Sequence, residues 1–268
     1  MTGFHKFGFS TLPLLFAFAG VASAANALIV TDPTSVIGSD NTNLSNKLTT
    51  AGFTVTSNAG VPGGSLATYQ QIWDTRFNNI ALSGSDVNAY TTYLIGGGNL
   101  FLMGENSGFA TRDNSIVSFI AAVGGGTLTL TTPANSVTVR APFATGITNP
   151  LLFQAANGTH SPGPYGAIAV DNAGIAPAIV YGPGSMTSAP AGSLIVVFDV
   201  NFLDTTADAN SQQFTVNLIG YLAAPVVVAP TYPPVVPALS TWAFLILAAG
   251  LIYIAFRWLG RTRRELVG

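Results

Sequence analysis

The side chains best suited to chemistry in this chain are six oxygen-bearing residues that close or follow apolar runs: Asp32, Asp74, Glu105, Asn106, Asp199 and Asn201. If each run is a strand of one parallel sheet, all six fall at the carboxyl edge, where open α/β sheets bind their ligands. Several carboxylates with few bases beside them suit a hard cation such as Ca²⁺, or the hydroxyls of a sugar. Paired carboxylates also hydrolyse glycosides, but only at defined separations. The same residue types cap the turns and helices that follow strands, and capping is the preferred reading. Apart from Ca²⁺, no cofactor is expected. The segment Asp204-Thr205-Thr206-Ala207-Asp208-Ala209-Asn210 lacks the central Gly and terminal Glu of a calcium loop and reads as a polar loop.

Nucleophilic chemistry has less to work with. The chain contains no cysteine, so thiol catalysis and disulfides are both excluded. Ser107 would need a base to activate it. Of the two histidines, only His160 lies in the body of the chain, within Asn157-Gly158-Thr159-His160-Ser161-Pro162, a loop by composition.

The elements that must position these residues alternate regularly in the first half. Ala27-Leu28-Ile29-Val30-Thr31-Asp32 predicts a buried strand, and Leu44, Leu48 and Ala51 lie at helical spacing before a Gly52 stop. Residues 53–56 and 69–74 predict two more strands. Ser85 and Asp86 can cap a helix carrying Val87, Tyr90 and Leu94, which ends at Gly96-Gly97-Gly98. Residues 99–104 predict a fourth strand, 114–123 a helix, 194–199 another buried strand, and 212–222 a closing amphipathic helix. Strand, helix and Gly stop in repetition give an α/β domain with a parallel sheet covered on both faces. Residues 127–179 break the rhythm and predict a β-rich insertion or long loops.

The two ends of the chain concern delivery. Lys6, an apolar run from Leu12 to Val21 and the small residues Ala22-Ser23-Ala24 predict a secretory leader over residues 1–24. Residues 224–237 are a Pro/Val-rich stalk. Residues 238–256 carry no charge and, as a helix of about 28 Å, would cross a bilayer once. Trp242 and Trp258 suit the interfaces, and Arg257, Arg261, Arg263 and Arg264 place residues 257–268 on the cytoplasmic side. The body between, residues 25–223, is long enough for one domain. It holds four bases against ten acids, which opposes nucleic-acid binding through phosphate neutralisation.

Two resemblances follow from these residues. Pro237, Leu239, Ser240 and Trp242, followed by the apolar segment and the cluster Arg261, Arg263 and Arg264, resemble the IPTL-CTERM sorting tail of Gram-negative bacteria. Val236 and Ala238 depart from its usual Ile and Thr. That resemblance implies an exosortase-like membrane protease as a processing partner, and an exopolysaccharide or other matrix polymer as company. The order of elements over 25–223, with the Gly96-Gly97-Gly98 turn, resembles the flavodoxin-like domains of the class I glutamine amidotransferase-like superfamily. There Asn106, in Gly104-Glu105-Asn106-Ser107-Gly108, stands where the nucleophilic Cys is implied, and an amide cannot attack as a thiolate does. The expectation is an exported protein, membrane-anchored or processed, whose α/β domain binds a ligand without catalysis. A secreted glycan or ester hydrolase using the strand-end acids or Ser107 is the alternative.

Overall fold

The computed structural model describes residues 25–32, 38–132, 135–154, 156–160 and 166–223. The predicted leader, stalk, membrane segment and sorting residues Pro237, Leu239, Ser240, Trp242, Arg261, Arg263 and Arg264 all lie outside the described residues. Among those described, no helix is long and apolar enough to cross a membrane.

The alternation read from the sequence is present. In chain order come β1 (Ala25–Thr31), α1 (Gly38–Thr50), β2 (Phe53–Ala59), β3 (Gln71–Asp74), α2 (Gly84–Ile95), β4 (Asn99–Gly104) and α3 (Ala110–Ala122). Six strands follow without an α-helix between them: β5 (Leu130–Thr131), β6 (Ser136–Val139), β7 (Leu151–Leu152), β8 (Gly158–Thr159), β9 (Ala167–Asn172) and β10 (Ile175–Tyr181). β11 (Ser193–Phe198) and α4 (Ala209–Ala223) complete the domain.

One sheet runs in the order β2-β1-β3-β4-β11-β10-β9-β6-β7. Its first five strands pair in parallel, through the contacts β1 with β2, β1 with β3, β3 with β4 and β4 with β11. Counted along the parallel strands alone, this is the 2-1-3-4-5 order of a doubly wound flavodoxin-like sheet. The segment expected as an insertion joins the same sheet. β10 pairs antiparallel to β11, and β9, β6 and β7 continue outward as an antiparallel wing.

The period-two geometry of a strand sends successive side chains to opposite layers. In β1, Ala27 and Ile29 face one core with Leu44 and Leu48 of α1 and Phe214, Leu218 and Leu222 of α4. Leu28 and Val30 face the other, with Tyr90 and Leu94 of α2 and Ile116, Phe119 and Ile120 of α3. All six residues of β11 are buried, as a strand covered on both faces requires. Trp73 and Phe101, neighbours in register on β3 and β4, stack with ring centroids 4.5 Å apart under the α1/α4 layer. Each fully buried large apolar side chain of this kind contributes about 1.5–3 kcal/mol.

Helix starts differ from expectation in detail. The cap of α2 is Ser83: its hydroxyl accepts from the Asp86 backbone N–H at 3.1 Å, and Asp86 Oδ2 accepts from the Ser83 N–H at 3.1 Å. Ser83 and Asp86 thus make a capping box, whereas Ser85 lies inside the helix. α3 begins four residues earlier than predicted, and its own Phe109 supplies no cap. Asn79, from the loop after β3, accepts instead from the N–H groups of Thr111 at 2.8 Å and Arg112 at 3.3 Å.

Candidate functional site

The carboxyl edge of the parallel strands gathers the predicted polar residues, but it divides them among separate roles. Asp74, at the end of β3, is fully buried and ion-paired. Arg76 grips it through Nε at 2.9 Å and Nη2 at 2.6 Å, and the Tyr90 hydroxyl donates to Oδ2 at 2.9 Å. Arg112, itself buried, brings Nη2 to 2.9 Å from Oδ1. That nitrogen is off the hydrogen-bonding direction, so its contact is one of charge with charge. Arg76 also reaches Asp86 at 3.0 Å, which ties the network to the start of α2. Burial alone would raise the Asp74 pKa, but Arg112 and Arg76 outweigh it and hold the carboxyl well below its ordinary range. Desolvation, and then the Asp74 charge, push the Tyr90 hydroxyl well above its ordinary value, so it stays a donor. Asp74 therefore has no exposed oxygen for a ligand.

Glu105 and Asp199 do meet, at the ends of the adjacent strands β4 and β11. Glu105 Oε1 accepts from the Asn106 backbone N–H at 2.9 Å, and Oε2 from the Val200 N–H at 3.2 Å. Asp199 Oδ2 accepts from the Gln154 N–H at 2.7 Å and Oδ1 from the Asn201 N–H at 2.7 Å. Asp113 of α3, which the sequence reading did not single out, joins them: Oδ1 accepts from the Glu105 N–H and Oδ2 from the Asn157 side chain, both at 2.9 Å. Gly104 makes this approach feasible, because a Cβ there would collide with the Phe198 ring and lie 2.7 Å from Asp113 Oδ1.

The three acids have elevated pKa values. Burial, reinforced by the Asp199 charge, pushes Glu105 up to about 7. Burial pushes Asp113 and Asp199 each up to about 6, against the hydrogen bonds that favour their ionised forms. This knot ties the loops after β4 and β11, and the Gln154 and Asn157 segment, to one another. Among the described residues, no group of three or more His, Asp or Glu is arranged to hold a metal ion.

The remaining predicted residues lie just beyond strand ends, Asn201 as the first residue of a 3-10 helix. Asn201 donates from Nδ2 to Asp199 Oδ1 at 2.9 Å and to the Gln154 carbonyl at 3.3 Å. Asp32 is hydrogen-bonded by the Asn78 side chain, away from the Glu105 and Asp199 knot. Asn106 caps the short 3-10 helix Ser107–Phe109, its Oδ1 accepting from the Gly108 N–H at 2.9 Å. Its backbone is extended, at φ −68° and ψ 173°. A nucleophile elbow instead depends on a strained strand-to-helix turn. Ser107 and His160 are both exposed and share no hydrogen bond.

A cavity of about 830 Å³ lies at the opposite, amino edge of the same strands. Ala25 of β1, Phe53 of β2, Tyr69 and Gln70 before β3, the end of α2 and Asn99 of β4 line it. Tyr93 packs its ring against Gly98, where any Cβ would collide with it, and donates its hydroxyl to the Tyr69 carbonyl at 3.0 Å. The Gly96-Gly97-Gly98 signal marked this turn in the sequence, but nothing there marked a cavity.

The fold and the geometry of both edges define the class of structure: a doubly wound α/β domain with an antiparallel wing. Solved structures of similar fold include two at low identity. The mmIFT52 N-terminal domain matches with a TM-score of 0.55 at 10% identity, covering 75% of this chain and 98% of that one. A ThuA-like protein from Bacteroides uniformis matches with a TM-score of 0.50 at 14% identity, covering 81% of this chain and 97% of its own. At such identities the likeness is one of fold. No protein-family model matches the chain, and no curated protein does.

Proposed function

We propose that this chain is an exported cell-surface protein, anchored or processed through its tail, whose α/β domain is a non-catalytic binding module of glutamine amidotransferase-like ancestry. The leader and the IPTL-CTERM-like tail support delivery across the inner membrane to a periplasmic or extracellular location. The membrane and an exosortase-like protease are the partners this delivery needs, and a matrix polymer is the ligand class it favours.

The observation that carries the non-catalytic part is the use made of Asn106. Where the superfamily resemblance implies a nucleophile, an amide caps a 3-10 helix in relaxed backbone geometry. The acids around it accept hydrogen bonds from the backbone of neighbouring loops. Residues used in this way stabilise the loops.

Reaction of the full chain with a fluorophosphonate probe tests this reading, with Ser107→Ala and His160→Ala as controls. The chain is expected to remain unlabelled at Ser107. Labelling there that disappears in both variants would establish a serine hydrolase and overturn the proposal.

A further inference from the structure

The 830 Å³ cavity at the amino edge of the parallel strands lies far from the residues that fold analogy would choose, and its chemistry differs from theirs. Among the described residues that line it, none is Asp, Glu, Lys, Arg or His. A charged ligand entering it would lose water and meet no charged side chain of those residues, which is costly. The volume falls within the range of small-ligand pockets, about 300–1,000 Å³.

The lining pairs aromatic surface with uncommitted amides. Tyr69 is partly exposed, and Tyr93 forms part of the wall with its hydroxyl already bonded internally. The side-chain amides of Gln70 and Asn88 are exposed and make no hydrogen bond to any described residue. Asn99 donates from Nδ2 to the Gln70 carbonyl at 3.1 Å, which leaves its Oδ1 available. Neutral amides offer donors and acceptors together, as vicinal hydroxyls require, and an aromatic face suits the apolar face of a sugar ring.

Resting on the reading of this domain as a binding module, we infer that the cleft is its ligand site and that the ligand is an uncharged oligosaccharide or the end of a neutral polysaccharide. Gln70, Asn88 and Asn99 bind its hydroxyls, and Tyr69 packs on a ring.

Calorimetric titration of the full-length chain with cellohexaose, maltohexaose and laminarihexaose, and with hexagalacturonate as the charged counterpart, tests the inference. At least one neutral hexaose is expected to bind and hexagalacturonate is not. The double variant Gln70→Ala/Asn88→Ala touches no internal hydrogen bond. It should weaken binding about tenfold or more while its unfolding temperature is unchanged. Absence of binding by all three neutral sugars, tighter binding of hexagalacturonate, or equal binding by the double variant would each overturn it. Cosedimentation with insoluble extracellular matrix separates this inference from the reading beneath it. Parent and double variant sedimenting equally would sink the cleft and leave the binding module intact, whereas failure of both would count against the module itself.

Discussion

Replacing Asp74 by an asparagine tests whether the strongest acid of the carboxyl edge is structural. In the parent, Asp74 is fully buried and balances Arg76, Arg112 and the Tyr90 hydroxyl. The Asp74→Asn variant keeps the shape of the side chain and loses its charge. Arg76 retains Asp86 at 3.0 Å and has 14% of its side chain exposed, so it keeps partial compensation. Arg112 has 2% exposed and loses its only ion-pair partner among the described residues. Breaking a buried pair from one side costs about 3–5 kcal/mol, and at this chain length a loss of about 4 kcal/mol lowers Tm by roughly 8–16 °C.

Urea unfolding followed by fluorescence reads the loss, because Trp73 is buried against Phe101. Arg112→Met in the Asp74→Asn background removes the stranded charge and should recover about half of the lost stability, about 2 kcal/mol. A loss below about 1 kcal/mol for Asp74→Asn, with an unchanged m-value, would show that the network is solvated and that Arg112 is not stranded.

Three further outcomes follow from the same geometry. Glu105, Asp113 and Asp199 have folded-state pKa values raised to about 7, 6 and 6, so the folded chain holds more protons than the unfolded chain between about pH 4 and 7. Stability is then greatest below the unfolded-state values and falls as pH rises through 6 to 7. A decline of at least about 3 kcal/mol between pH 5 and pH 8 is expected in urea titrations, and Glu105→Gln should flatten it. Asn106→Cys restores the missing thiol but not the strained turn or a base, so ammonia release from glutamine should stay at background; release above it would mean that the elbow is functional after all. Gly98→Ala drives a methyl into the Tyr93 ring, and thermal unfolding should register a loss of about 1–3 kcal/mol.

Much of this architecture was legible from residues 25–104, because Leu28-Ile29-Val30 and Leu100-Phe101-Leu102-Met103 are continuous apolar runs and the turns between elements carry Gly. The wing was not. β5, β7 and β8 have two residues each, too short for any periodicity, and Thr-rich alternation reads equally as loop. The Ser83 cap was visible in principle, since Ser83-x-x-Asp86 is a capping-box spacing. The six strand-end residues were found where expected, but their partners were not. Asp113 meets Asn157 from 44 residues away, and Asn79 caps a helix 32 residues away. Pairs at such separations leave no local pattern in one sequence. The amino-edge cavity was hidden for a related reason: its aromatic and amide residues come from several elements and form no motif.

The proposed delivery of the domain to the surface is read from the termini of the native protein. Intact-mass measurement on fractionated cells should find a species that begins near Ala25, with its domain outside the inner membrane. A protein that keeps Met1 and its leader and remains in the cytosolic fraction would rule that delivery out.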